Sequence, residues 1–208
     1  MQGVPWPFER VVIVRHGETE WNRLGRRQGQ LDSPLTSEGE RHARAVDSLV
    51  ASTAVDSIFS SPLGRAHRSA LIIAAKVGRS VRVLEALAEV HHGAFAGLTN
   101  QQIEARHPGE MVRRETKKYT WRFPDGESYA DADIRACTAL DHVVRAGAVS
   151  PLLVTHEMIG RTLLRALLGL QPDQALSWSL PHGVVAEVSP ADGTVTETRT
   201  AWSSPRCP

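Results

Sequence analysis

The stretch Val11 to Asn22, Val-Val-Ile-Val-Arg-His-Gly-Glu-Thr-Glu-Trp-Asn, puts three chemically useful residues side by side. Arg15 offers a planar fork of N–H donors that fits the oxygens of an anion. His16 offers a ring nitrogen that is a nucleophile when neutral. Gly17 lets the backbone turn tightly and come close to a ligand. An anion-binding fork beside a nitrogen nucleophile is what transfer of a phosphoryl group needs. Arg-His-Gly alone is a coincidence that many strand-to-loop junctions could show, so the surrounding elements must carry the rest of the argument.

Four β-branched residues before Arg15 read as a strand buried on both faces, and open α/β sheets bind ligands at the carboxyl ends of such strands. Leu35-Thr36-Ser37-Glu38-Gly39 opens a helix capped by Thr36 or Ser37, with Ala43, Val46, Leu49 and Val50 at helical spacing. Ser57-Ile58-Phe59-Ser60 is a short strand, and Ser61-Pro62-Leu63 starts a helix to about Lys76. Arg65 then falls in the first turn of that helix, at the sheet edge that holds His16. Val81 to Leu84 makes a third strand. Pro151-Leu152-Leu153-Val154-Thr155-His156 repeats the opening pattern, an apolar strand ending in a histidine, and leads into a helix through Leu168. A hairpin follows over Val184–Ser189 and Thr194–Thr200, around Ala191-Asp192-Gly193.

Between these elements the composition shifts. From Asn100 to Asp125, arginines and lysines alternate with Tyr119, Trp121 and Phe123, which reads as a small cap folded over the site. A long helix from Ser128 to about Ala146 then shows an apolar face of Ile134, Leu140, Val143 and Val144. Residues 1–9 read as an irregular arm and Trp202 to Pro208 as a frayed tail.

With 208 residues the chain suits one domain, carrying the cap as an insertion over about residues 90–130. Its 24 Lys plus Arg nearly balance 23 Asp plus Glu, so no global field argues for nucleic acid or an anionic membrane. Cys137 sits in a helix and Cys207 in the tail, which argues against a structural disulfide. The apolar run at Val11–Val14 is too short for a signal peptide or a membrane span. A cytoplasmic protein acting on small molecules is expected; a homodimer is compatible with the sequence, which does not select it over a monomer.

Arg15-His16-Gly17-Glu18-Thr19 with Asn22, then Gln28-Gly29, Asp32, Pro34-Leu35-Thr36 and Gly39, resembles the histidine phosphatase superfamily, also called the phosphoglycerate mutase-like family. Ser60-Ser61-Pro62-Leu63-Gly64-Arg65-Ala66, Leu87-Ala88-Glu89, Gly126-Glu127-Ser128 and His156 continue the resemblance in order along nearly the whole chain. It implies a three-layer α/β/α sandwich with a mostly parallel central sheet and a small cap over its C-terminal edge. It also implies residue roles. His16 attacks phosphorus, and Arg15, Arg65, Asn22 and His156 hold the phosphoryl oxygens. Glu89 gives a proton to the leaving group, with Glu85 as its competitor, and Gln28 and Gly29 contact substrate. Glu127 and Ser128 fit helix capping as well as ligand contact. Ala94-Phe95-Ala96-Gly97 departs from the family's tryptophan-glutamate-glycine ending, which leaves one pocket wall open.

His91 and His92 near Glu89 and His156 invite a metal reading, but no recognised ligand spacing accompanies them. No metal or organic cofactor is expected. The implied activity is hydrolysis of a small phosphomonoester through a phosphohistidine. The alternatives are a cofactor-dependent phosphoglycerate mutase and a non-catalytic phosphate-binding module. A mutase would have a longer insertion and Gly-Trp at the place of Gln28-Gly29, although Arg113-Arg114 faintly resembles a mutase pair. A dead module would be expected to lack His16, Arg65 or His156.

Overall fold

The computed structural model describes residues 6–201. The whole tail Trp202 to Pro208, with Cys207 in it, and residues 1–5 of the arm lie outside the described residues. Six strands, β1 (Val11–Arg15), β2 (Ser57–Ser60), β3 (Val81–Val83), β4 (Pro151–Thr155), β5 (Val184–Ser189) and β6 (Thr194–Arg199), form one sheet in the order β3-β2-β4-β1-β5-β6. The first four in that order run parallel; β5 and β6, joined by a tight turn, add antiparallel strands beside β1.

Side chains alternate across a strand, so an unbroken apolar run must supply two cores at once. Val11 and Ile13 enter one core with Phe59, Leu153 and Ala186, while Val12 and Val14 enter the other with Ile58, Leu152 and Val185. The second core is closed by α2 (Ser37–Ala51) and α3 (Gly64–Val77), packed on each other. The first is closed by α6 (Tyr129–Arg145) and α7 (Glu157–Leu168). The sheet is therefore the middle of three layers. Four short helices complete the chain: α1 (Glu20–Arg23), α4 (Asn100–Arg106), α5 (Glu110–Thr116) and α8 (Pro172–Ser177).

Thr36 is the residue that caps α2, accepting from Gly39 N, and Ser128 caps α6 through a box with Asp131. Three boundaries and one face differ from the sequence expectation, one of them β6, which ends at Arg199 and not at Thr200. α3 starts at Gly64 because Ser61-Pro62 stays in the loop, where Ser61 Oγ accepts from Leu63 N. Strand β3 stops at Val83, and Leu84 leads into a 3₁₀ turn. Ile134 is 72% exposed and not part of the core. The buried face of α6 is Ala132, Ala136, Ala139, Leu140 and Val143, and Ile134 lies two residues, about 200°, from Ala132 on the helix.

Candidate active site

β1 and β4 are adjacent and parallel, with Arg15 opposite Thr155, so the next residues on both, His16 and His156, leave the same edge together. His16 N donates to Thr155 O, one last ladder bond, and the two rings lie 5.1 Å apart. The His16 tautomer follows from its partner. Nδ1 is 2.7 Å from Gly17 O, and since a carbonyl only accepts, Nδ1 carries the proton and Nε2 keeps its lone pair. Burial, then the Arg65 cation and the neighbouring His156, Arg15 and His182, hold His16 well below the ordinary imidazole range. The ring is neutral, the state in which an imidazole can act as a nucleophile.

Gly17 serves this geometry by close approach and has no left-handed backbone. A Cβ there would sit 2.0 Å from Gly39 O, and one on Gly39 would sit 2.0 Å from Glu18 O. The two glycines let the loop after β1 lie against the first turn of α2, and Gly17 N donates to Ser69 Oγ on α3.

Arg65, from the first turn of α3, is 2% exposed. Its Nη1 donates to Leu31 O and to Asp32, its Nη2 to Gly29 O, and its Nε to His16 Nε2 at 3.2 Å. Asp32 also accepts from Arg65 N, so one exposed-side carboxylate fixes both ends of this residue. Arg15 is tied to Glu157 at 3.2 Å, and its buried Nε has no partner among the described residues. Asn22 uses its Oδ1 to close the cap of α1, accepting from Thr19 N and Thr19 Oγ1, which leaves its NH₂ as the donor. Gly29 has φ of +55° and would bring a Cβ within 2.8 Å of His92. Gln28 is buried, with Oε1 unpartnered among the described residues.

Arg15, His16, Asn22, Gln28, Gly29, Arg65 and Glu89 line one cavity of about 270 Å³. His156 is fully buried beside His16 without lining that cavity; its Nε2 is 2.8 Å from Ser61 Oγ. Glu85 is exposed in a separate groove between β3 and α6. Glu89 is the carboxyl at the site. Its Oε1 accepts from Val90 N and Ile159 N, and its Oε2 from Met158 N at 3.3 Å. Burial pushes this carboxyl above its usual range, outweighing those N–H groups and the nearby arginines.

The sequence profile of the histidine phosphatase superfamily (branch 1) matches residues 11–202. The chain belongs to that superfamily. It is accordingly an enzyme of the histidine phosphatase type. A relative from Yersinia enterocolitica, named probable phosphoglycerate mutase GpmB, is 42% identical over 167 residues, 78% of this chain and 76% of the relative. The solved structure of a mycobacterial glucosyl-3-phosphoglycerate phosphatase complexed with VO3 superposes with a TM-score of 0.80 at 30% identity, covering 87% of this chain and 92% of that one. An Escherichia coli protein described as a putative alpha-ribazole-5'-P phosphatase, 18% identical with a TM-score of 0.82 over 93% of this chain and 96% of its own, shares the fold.

The cavity of this histidine phosphatase has a second, outer wall that the sequence reading did not name residue by residue. Arg26, Arg27, His92, Arg114, Tyr129 and Arg161 belong to it, with Glu157 and Met158 from α7. Glu157 and Arg161 had a readable signal: they occupy the first and second turns of a helix that starts at a strand-end histidine. Arg27 had none, and Arg114 only its faint likeness to half of a mutase pair, because only the fold of the cap brings the two together. Phe95, Trp121 and Phe123 pack edge to face or tilted, with centroids 4.9 to 5.7 Å apart, and His92 stacks on Phe123 at 4.5 Å, which anchors the cap to the site. Phe95 itself is buried in the core and does not line the cavity; the lining residue on this side is His92, stacked on Phe123.

His182 was also missed. It precedes β5, which runs antiparallel to β1, so its start meets the end of β1, and His182 Nδ1 donates to His16 O at 2.7 Å. His91 and His92 face different surroundings: His91 is exposed, while His92 Nε2 lies against Met158 Sδ. Among the described residues no group of three or more His, Cys, Asp or Glu is placed to hold a metal, and no helix is long and apolar enough to cross a membrane.

Proposed function

We propose that this enzyme hydrolyses a small phosphomonoester without a metal, through a phosphohistidine on His16. The observation that carries the reading is the His16 ring: protonated on Nδ1 by its bond to Gly17 O, neutral, and with Nε2 aimed at Arg65. Nε2 attacks phosphorus in line as the bond to the leaving oxygen breaks. Arg15, Arg65, Asn22 and His156 hold the remaining oxygens, where fixed positive charge does most of the work of phosphoryl transfer. Glu89, whose burial favours the protonated carboxyl, gives its proton to the leaving alkoxide. As a carboxylate it then takes a proton from water attacking the phosphohistidine, which returns Nε2 and releases phosphate.

The substrate we favour carries a carboxylate as well as the phosphoester. Six arginines line the cavity against two carboxyls, Glu89 and Glu157. Glu157 is engaged by Arg15 and Arg161. Among the described residues the Arg27 side chain donates only to Met111 Sδ at 3.9 Å, and Arg114 pairs only with Glu115, which is itself exposed. A phosphoglycerate, the group in the names of the Yersinia and mycobacterial relatives, has this pair of anions.

The test is brief incubation with substrate in excess chelator, quenched in alkali. The expected result is acid-labile phosphate on His16, absent from His16→Ala; label that persists in His16→Ala overturns the assignment. Transfer of the trapped phosphoryl group to an added hydroxy acid in preference to water would favour the mutase.

A further inference from the structure

Glu89 lies on a segment with no ladder to hold it. After the 3₁₀ turn Glu85–Leu87 the chain runs without regular structure to the turn at Gly93–Phe95. A general acid on such a segment must be fixed by something else, because a displacement of about 1 Å in a catalytic group can cost on the order of 10²-fold in rate.

The Glu89 carboxyl is met by Met158 N and Ile159 N, and its backbone is held by Arg135, projecting from the second turn of α6. Its Nη1 donates to Ala86 O at 3.0 Å and to Ala88 O at 2.5 Å, and its Nη2 donates to Glu89 O at 3.3 Å. Its Nε and Nη2 grip the Glu127 carboxylate at 3.1 and 2.8 Å. Glu127 in turn accepts from His91 N at 2.8 Å and donates its own N–H to His91 O. One guanidinium thus spans the backbone from residue 86 to 89 and, through Glu127, reaches residue 91. All five of its N–H donors are used, and none of them reaches the cavity. From the other side Gln30 Nε2 donates to Glu89 O at 3.0 Å.

We propose that Arg135, with Glu127, is a positioning residue for the general acid: it fixes the backbone of Glu89 so that the carboxyl meets the leaving oxygen. This rests on the reading of Glu89 as that acid. Lysine cannot replace the fork, since a single ammonium has three donors and no planar pair to join three carbonyls and a carboxylate. The effect of losing the fork must therefore fall on the proton-transfer step more than on phosphate binding, which Arg15 and Arg65 supply from β1 and α3.

The experiment compares the parent with Arg135→Lys, Glu127→Gln and Glu89→Gln. Each is given an alkyl phosphate, whose leaving group needs a proton, and the phosphate of an acidic phenol, whose leaving group does not. The expected result for Arg135→Lys is a loss on the order of 10- to 10²-fold in kcat on the alkyl phosphate with KM little changed, while the pre-steady-state burst of phenol stays within about threefold. Glu127→Gln should fall the same way by less. Equal loss on both substrates, or no loss on either, overturns the proposal and leaves Arg135 as an anchor of α6 only. If Arg135→Lys does not fold, Glu127→Gln decides by the same two outcomes. Glu89→Gln separates the two ideas. If it shows the leaving-group split and the Arg135 and Glu127 variants do not, the positioning role fails while the acid stands. If it shows no split, both fail.

Discussion

Arg65 Nε donates to His16 Nε2 at 3.2 Å, so the guanidinium we propose for the phosphate also occupies, until substrate enters, the lone pair we propose as nucleophile. The same cation is the second largest influence, after burial, keeping His16 neutral. One residue therefore both orients the His16 ring and adds to the burial that keeps it neutral. Asp32 and the carbonyls of Gly29 and Leu31 fix that residue in turn.

Arg65→Ala should then do more than weaken phosphate binding. Removing a cation that lowers the His16 pKa lets that pKa rise, so the protonated, non-nucleophilic ring persists to higher pH. The acid limb of kcat/KM should move upward in pH, alongside a loss on the order of 10²-fold or more. A pH profile of unchanged shape would show that burial alone keeps His16 neutral.

The buried histidines also make stability depend on pH. His16, His156 and His182 are held well below the ordinary range, and His92 is lowered to about 3, burial being the first cause for each. Above pH about 6.5 each is neutral whether folded or unfolded and contributes nothing. Below it only the unfolded chain takes up the proton, so stability falls by about 1.4 kcal/mol per pH unit for each such histidine. For His92 the loss continues down to pH about 3. Urea midpoints measured from pH 8 to pH 5 should fall, and His92→Gln should flatten the slope by about one proton. An unchanged slope in that variant would mean that His92 titrates normally.

Gly17→Ala should destabilise the fold and silence the enzyme together. The new methyl would lie 2.0 Å from the carbonyl of Gly39, a backbone atom that no rotamer change can move. Overpacking of this kind typically costs about 1–3 kcal/mol, and here the strain falls on the residue next to His16. A variant with parental urea midpoint and activity would show that the loop after β1 and the start of α2 can slide apart.

Much of the inner site was legible because it depends on local pattern. Val11–Val14 and Leu152–Val154 are apolar runs that can only be buried strands, and the residue after a parallel strand's end is placed by the strand itself. Placing His16, His156 and Arg65 at one edge needed no more than that and the order of the elements; reading roles into them needed the resemblance. Glu89 over Glu85 needed the resemblance, since both follow the same short strand and only the turn between them turns Glu85 outward. Arg27, Arg114 and His182 depended on contacts across 70 residues or more, made by the packing of the cap and by the return of β5 along β1. Ile134 was misplaced because its neighbours on α6 are alanines, which bury well but weakly mark a face. The mainly alanine face sits against Leu163 and Leu164 in the same core, where small residues let two helices approach.

That outer wall carries the most specific prediction. Arg114→Met keeps an unbranched stem near Phe123 and removes a cation that no buried carboxylate neutralises; Arg27→Met does the same beside it. A charge-assisted hydrogen bond contributes about 1.5–3 kcal/mol, roughly 10- to 10²-fold in binding. Each variant should raise KM by about that factor for a phosphomonoester that also bears a carboxylate. For an aryl phosphate without one, KM should stay within about twofold, because Arg15 and Arg65 are untouched. The mutual repulsion of two cations makes the pair costly when empty, and burial and Arg114 already hold the Arg27 guanidinium below its ordinary range. Both single variants should therefore raise the urea midpoint slightly while weakening the preference for a carboxylate-bearing substrate. Equal changes in KM for the two substrates would place the carboxylate elsewhere and leave Arg27 and Arg114 as a general attraction for anions.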